Sequence, residues 1–221
     1  ITQTTCSRAF GSFAARSGGM TGGAIMSAVC HRLTPGHRRR ANLAALGLYD
    51  TTEPHPKLEP ILKSQGVDYK AIVGRTGPLC LRRALIDEAT FEIDDDLGEP
   101  AFVMAVHDVD ALSVVDLIAW PIWHPGDFAT YFGFAAVLGG DAAVNPASFV
   151  DEPCPIWSTP LSLLQADLRG CVVLDPRLAA PILRQAPAPF QCEDVGQAQW
   201  LVDTGAIAVS ELLVPARRAV A

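Results

Sequence analysis

The segment Ala89–Ile122, ATFEIDDDLGEPAFVMAVHDVDALSVVDLIAWPI, decides the fold. Its first part, Ala89–Asp95, alternates apolar and polar residues with the period of two that is typical of a half-buried strand. Two longer apolar runs follow, Ala101–His107 and Leu112–Ile122, and short polar turns separate the three. Consecutive strands joined by short turns favour pairing between neighbours, so the segment predicts an antiparallel meander over about residues 89–122.

The residues after the meander carry alternating helix and strand signals. Asp127 is a candidate N-cap, and apolar residues on one helical face predict a helix that ends at Gly139: Phe128, Tyr131, Phe132, Ala135 and Leu138. Beyond a proline-rich loop over 145–159, helices are predicted over 161–168, 175–184 and 193–203, with short strands over 171–174 and 188–192. We therefore expect an α+β fold with one mixed β-sheet and helices packed on it.

The residues before the meander give weaker signals. A short helix is predicted over 38–48, and one or two helical turns over 57–65 that end at Gly66. Tyr69–Val73 is a candidate strand, and 79–88 fits either a helix or a strand.

Charge is unevenly distributed along the chain, whose net charge is −7. Residues 1–50 contain six arginines against one acidic residue, whereas residues 101–150 contain five acidic residues and no lysine or arginine. Glycine-rich segments lose much conformational entropy on ordering. We therefore expect residues 1–50 to be a disordered or partly helical basic leader, with order beginning at or after Met26, and residues 51–221 to form a single α+β domain.

Several classes of protein find no support in the sequence. The six cysteines form no C-x-x-C pair, so we expect buried thiols rather than a zinc or redox site. Neither a G-x-x-x-x-G-K nor a G-x-G-x-x-G phosphate loop is present, and we expect no cofactor and no bound metal. The most apolar stretch, 101–122, carries three aspartates, which a membrane-spanning helix would not tolerate at its centre. With no continuous apolar run in the leader, a cytoplasmic location is expected.

Two groups of polar residues are candidates for catalysis. His107, Asp108 and Asp110 follow a predicted strand, where an imidazole beside carboxylates would serve as a base or a metal ligand. The second group is WPIWHPGD, Trp120–Asp127, in which His124 lies beside two tryptophans that would line a pocket. The alternatives are a polar hairpin turn for the first group, and core tryptophans followed by a turn and a helix cap for the second.

The only basic cluster is His37, Arg38, Arg39 and Arg40, which would contact nucleic-acid phosphates rather than read bases. The leading hypothesis for function is a non-catalytic accessory or protein-interaction domain with an unknown protein partner. A hydrolase or metal-dependent enzyme that uses His107, Asp108, Asp110 and His124 is the first alternative. A protein that makes weak nucleic-acid contact through its basic N-terminal arm is the second.

Overall fold

The computed structural model describes residues 34–50, 55–72, 74–75 and 79–214. The α-helices of this part are α1 (Pro35–Asp50), α2 (Leu58–Ser64), α3 (Tyr69–Ile72), α4 (Gly140–Val144), α5 (Pro160–Gln165), α6 (Pro176–Leu183) and α7 (Val195–Asp203), and a 3-10 helix spans Val209–Glu211. The strands are β1 (Leu79–Ile86), β2 (Phe91–Ile93), β3 (Glu99–His107), β4 (Val114–Pro121), β5 (Ala129–Thr130), β6 (Val137–Leu138), β7 (Cys154–Trp157), β8 (Cys171–Val173), β9 (Phe190–Cys192) and β10 (Leu212–Leu213). The predicted α+β class is confirmed, while the predicted disorder of residues 1–33 lies outside the described residues.

The first sheet has the strand order β2-β1-β3-β4-β5, and its ladders are antiparallel. Of the predicted meander, β3 and β4 pair as neighbouring strands, whereas β2 does not pair with β3 because β1 lies between them. β1 comes from the segment 79–88, whose type the sequence left open. β3 and β4 form the longest hairpin, with Ala101 opposite Pro121 at one end and His107 opposite Val114 at the other.

The second sheet has the order β10-β9-β7-β8-β6, so the fold contains two sheets where the sequence suggested one. Strands β7 to β10 are parallel and only β6 is antiparallel. The predicted elements from α5 to α7 form with boundaries close to those expected. β7 was missed because Pro155, which lacks a ladder donor, lies in it, and proline in the middle of a sheet is unfavourable.

Three apolar clusters divide the molecule into layers. α1 buries Ala41, Ala45 and Leu48 against the outer face of the first sheet. A shared core lies between the sheets and includes residues of both, among them Trp120 of β4 and Val172 of β8. The third cluster lies on the other face of the second sheet, under α6 and α7.

Strand β3 faces two of these clusters, which explains its continuous apolar sequence. Phe102, Met104 and Val106 point into the shared core. Ala101, Val103 and Ala105 point toward the side that α1 covers. A strand buried on both faces has no polar alternation.

The helix predicted from Asp127 to Gly139 does not form, and the short strands β5 and β6 stand in its place. The reason is the buried carboxylate of Asp116 on β4, which is 0% exposed. Its Oδ1 accepts hydrogen bonds from the backbone N–H groups of Phe132 and Leu117, each at 2.8 Å. Its Oδ2 accepts from those of Phe134 and Ala135, at 2.7 and 3.1 Å. These contacts hold the amides of the connection in a bent conformation.

Asp116 has two opposing influences on its pKa. Burial raises the pKa of this carboxyl, while the four backbone N–H groups act in the opposite direction. The carboxylate therefore depends on those hydrogen bonds for its place in the core.

The strand predicted at Tyr69–Val73 is also wrong, because Tyr69–Ile72 forms the short helix α3. Asp68 starts this turn. Its side chain accepts a hydrogen bond from the Lys70 N–H, and its carbonyl accepts one from the Ala71 N–H. Asp and Asn stabilise turns in this way, and the local hydrogen bonds outweigh the β propensity of the apolar residues.

The described cysteines, Cys80, Cys154, Cys171 and Cys192, are buried, as predicted for these four, and Cys154, Cys171 and Cys192 are free thiols. Across the described helices, none combines the length and the apolar character needed to cross a bilayer.

Candidate functional site

The structure separates the two predicted catalytic histidines. His107 lies at the end of β3 that pairs with Val114, whereas His124 follows Pro121 at the opposite end of the hairpin. With a rise of about 3.3 Å per residue, the six steps along β3 from Ala101 to His107 span about 20 Å, which separates the two histidines by a similar distance. They therefore do not face a common reaction centre. Within the described ranges, His, Cys, Asp and Glu side chains form no group of three that fits a metal ion.

The two aspartates beside His107 have partners that stabilise the local structure. The Arg38 guanidinium on α1 donates a hydrogen bond of 2.9 Å to Asp108. Asp110 accepts from the backbone N–H groups of Leu112 and Ser113, at 2.9 and 3.0 Å. These two hydrogen bonds lower the pKa of Asp110. This arrangement matches the polar-turn interpretation of the segment.

The basic cluster on α1 is only partly available to a ligand. The His37 ring packs on Phe134 with 4.6 Å between the ring centroids, and Arg38 is bound to Asp108. Arg39 and Arg40 are exposed. Nucleic-acid contact by residues 37–40 stays a prediction, and it would depend on these two arginines.

The order of the parallel strands creates a different candidate site. β8 and β9 lie on opposite sides of β7. The chain leaves β7 through α5 toward β8, and it leaves β9 through α7 in the other direction, toward β10. Where neighbouring connections diverge in this way, a crevice opens outside the carboxyl ends of the strands, and α/β proteins commonly bind ligands there.

A cavity of about 490 Å³ occupies this position, and we call it the crevice. Its walls include three aromatic side chains: Phe128, Trp157 and Trp200. Ile156 and Val173 add apolar surface from the strands. The volume and the apolar lining are in the range of sites that bind small molecules or single side chains of a partner.

Trp157 is held firmly in the wall of the crevice. Its indole Nε1–H donates a hydrogen bond of 2.7 Å to the carbonyl oxygen of Arg169. The next residue, Gly170, has a φ of 114°, and a side chain there would collide with the carbonyl oxygen of Pro155. Glycine is thus needed at this position so that the chain passes close to β7 and presents its carbonyl to the indole.

Two carboxylates make the polar side of the crevice acidic. Glu193 Oε2 accepts a hydrogen bond of 3.0 Å from the Ser158 N–H, which links the ends of β7 and β9. Asp194 caps α7, and its Oδ1 accepts a hydrogen bond of 2.8 Å from the Gln197 N–H. Burial, followed by the nearby charges of Asp194 and Glu193, raises the pKa of Cys192 to about 11. None of the ten described residues that line the crevice is basic.

Sequence reasoning missed the crevice, although local signals marked its edges. Thr159, Asp175 and Asp194 each follow a strand of the second sheet and cap the next helix. Capping residues repeated after parallel strands indicate one edge of a sheet at which three helices begin. No protein-family model, curated protein or solved structure matches this chain.

Proposed function

We propose that this chain is a non-catalytic protein-interaction domain that binds a segment of a partner protein in the crevice. The observation that carries the proposal is the aromatic cavity at the divergence of the β7 and β9 connections. Tryptophan side chains supply much of the binding energy in protein interfaces because they bury a large area with little loss of rotamer entropy.

Exposed apolar surface at the edge of the crevice supports binding of a partner. Trp200 is 44% exposed although it lines the cavity. An exposed aromatic side chain beside a cavity is typical of interaction sites. The polar groups favour binding over chemistry, because Glu193 and Asp194 already position backbone amides.

The same proposal assigns the domain to the cytoplasm. Cys154, Cys171 and Cys192 are free thiols, as is usual in a reducing compartment. The acidic net charge of −7 also suits a soluble protein.

Peptide selection combined with NMR tests this proposal. Random dodecapeptides displayed on phage would be selected on the wild-type chain and then counter-selected on Trp200→Ala. Trp123→Ala is the matched control, because Trp123 is 72% exposed and is not among the residues lining the crevice. We expect the selected peptides to bind Trp123→Ala normally and Trp200→Ala at least tenfold more weakly, the loss expected for a central aromatic contact.

The chain has four tryptophans, so each indole N–H resonance can be assigned by single Trp→Phe substitution. Bound peptides should shift the resonances of Trp157 and Trp200 and leave that of the buried Trp120 in place. Peptides that bind Trp200→Ala as tightly as the wild type, or that shift only the Trp123 resonance, would contradict the proposal.

A further inference from the structure

We infer that the crevice selects a cationic side chain, an arginine or a lysine, in the bound segment of the partner protein. This inference rests on the proposed function and adds the chemistry of the ligand. It follows because aromatic side chains and carboxylates line the same cavity. Neither feature alone would indicate a cationic ligand.

The aromatic walls suit the aliphatic stem and the charged head of such a side chain. Trp157 and Trp200 lie on the cavity wall together with Phe128. A cation within about 6 Å of an indole face is attracted by the ring quadrupole, and this attraction increases when water is excluded. Long basic side chains also bury their methylene groups on apolar surface while the charge stays near polar atoms.

The carboxylates of Glu193 and Asp194 retain the capacity to accept hydrogen bonds from a ligand. Among the described residues, Glu193 uses Oε2 for the Ser158 N–H, and Asp194 uses Oδ1 for the Gln197 N–H. A carboxylate has about four acceptor positions. The second oxygen of each group is therefore able to accept from a guanidinium or an ammonium group, and Arg–carboxylate contacts are often bidentate.

Two positive features near the crevice must be weighed against these acids. The N-terminus of α7 carries the equivalent of about half a positive charge, which is smaller than the two full negative charges beside it. The guanidinium of Arg169 pairs with Glu152, and neither residue is among those lining the crevice, so this positive charge is balanced by its own partner. The crevice therefore has a net negative potential.

Charge complementarity excludes an acidic segment as the occupant. A neutral apolar side chain would fill the cavity but leave both carboxylates without a counter-charge. A basic side chain meets both requirements, because its stem packs on the aromatic rings and its head reaches the carboxylates.

The test compares two peptides that differ only in charge: acetyl-Gly-Gly-Arg-Gly-Gly-amide and the same peptide with citrulline, the neutral isostere of arginine. Binding is measured by the shifts of the Trp157 and Trp200 indole resonances. We expect the arginine peptide to bind at least tenfold more tightly than the citrulline peptide, and its affinity to fall as salt is added.

Variants of the crevice give the second arm of the test. Glu193→Gln and Asp194→Asn remove charge, yet each keeps an oxygen that can accept the same backbone N–H, and asparagine is as good an N-cap as aspartate. The double variant should reduce the affinity of the arginine peptide about tenfold and leave that of the citrulline peptide unchanged. Glu92→Gln, exposed on β2 of the first sheet and outside the crevice, is the matched control and should change neither.

The outcomes separate this inference from the proposed function. If selected dodecapeptides shift the Trp157 and Trp200 resonances but contain no basic residue, the inference is wrong and the proposed function stands. Equal binding of the arginine and citrulline peptides would also overturn the inference. If neither the selected dodecapeptides nor the arginine peptide shifts the Trp157 and Trp200 resonances, both are overturned.

Discussion

Replacing Asp116 with asparagine should destabilise the protein by about 3 kcal/mol. The four backbone N–H groups around this side chain donate in pairs to Oδ1 and Oδ2, so both side-chain atoms must be acceptors. Asparagine has one carbonyl oxygen, which would still accept from Phe132 and Leu117 as Oδ1 does now. Its NH₂ group would then face the N–H groups of Phe134 and Ala135, which now donate to Oδ2. Two hydrogen bonds to a charged acceptor, each worth at least about 1.5 kcal/mol, are lost.

Asp116→Ala removes the acceptor entirely and should cost about 5 kcal/mol, somewhat less than four such bonds because part of the connection is exposed and its amides regain water. Urea unfolding followed by tryptophan fluorescence measures both variants, and an unchanged slope shows that the effect is on stability. For a chain of this size, Asp116→Asn should also lower Tm by about 9 °C.

Asp127→Asn is the matched control, since Asp127 is exposed on the same connection, and it should change the free energy of unfolding by less than about 0.5 kcal/mol. If Asp116→Asn is as stable as the wild type, the carboxylate does not hold the connection through paired acceptor oxygens and our explanation of the missing helix is wrong.

Three further predictions test other parts of the structure. Gly170→Ala should lower the free energy of unfolding by about 3 kcal/mol or more, because of the positive φ and the clash with β7. It should also reduce the near-UV circular dichroism of Trp157. An unchanged stability would refute the close approach of Gly170 to β7. Arg38→Ala should cost about 1 kcal/mol in urea unfolding, because its partly buried ion pair joins α1 to the first sheet, whereas the exposed Arg39→Ala should be neutral. The pKa of Asp110, measured by carboxyl-carbon NMR, should lie below its ordinary value of 3.8. Because the folded pKa is the lower one, its contribution to stability is present at neutral pH and is lost as the pH falls through that pKa; a value above 3.8 would contradict the turn geometry.

Elements that depend on local signals were predictable from the sequence. The helix after Asp175 has both a capping side chain and a proline in its first turn, and both act within three residues. The β3–β4 hairpin follows from two apolar runs and a turn fixed by Asp110. In each case the residues that determine the element lie within it or directly beside it.

Elements that depend on distant partners were not predictable. The apolar face from Phe128 to Leu138 has helical spacing, yet a carboxylate 16 to 19 residues earlier captures the amides that a helix would use. The number of sheets likewise depends on β7, whose sequence, Cys-Pro-Ile-Trp, reads as a loop until β8 and β9 pair with it on both sides. The spacing of residues along the chain does not indicate which distant groups compete for the same backbone amides.

In the candidate site, too, local signals were visible in the sequence and long-range arrangement was not. His107 and His124 stood out as residue types with reactive side chains, but strand register separates them. The crevice exists because the strand order β9-β7-β8 differs from the chain order, and that order cannot be inferred from a single sequence. Its aromatic and acidic residues look ordinary when each is considered alone.

The crevice takes one of its walls from each half of the chain. Phe128 belongs to the connection that follows β4 of the first sheet, while Trp157 and Trp200 belong to the second sheet and its helix α7. Any ligand that contacts both walls must therefore bind more weakly when the halves separate, and by thermodynamic linkage it must oppose their separation. A ligand bound in the crevice would therefore hold the two halves together. Resistance to proteolysis between the two halves should rise with the concentration of the ligand.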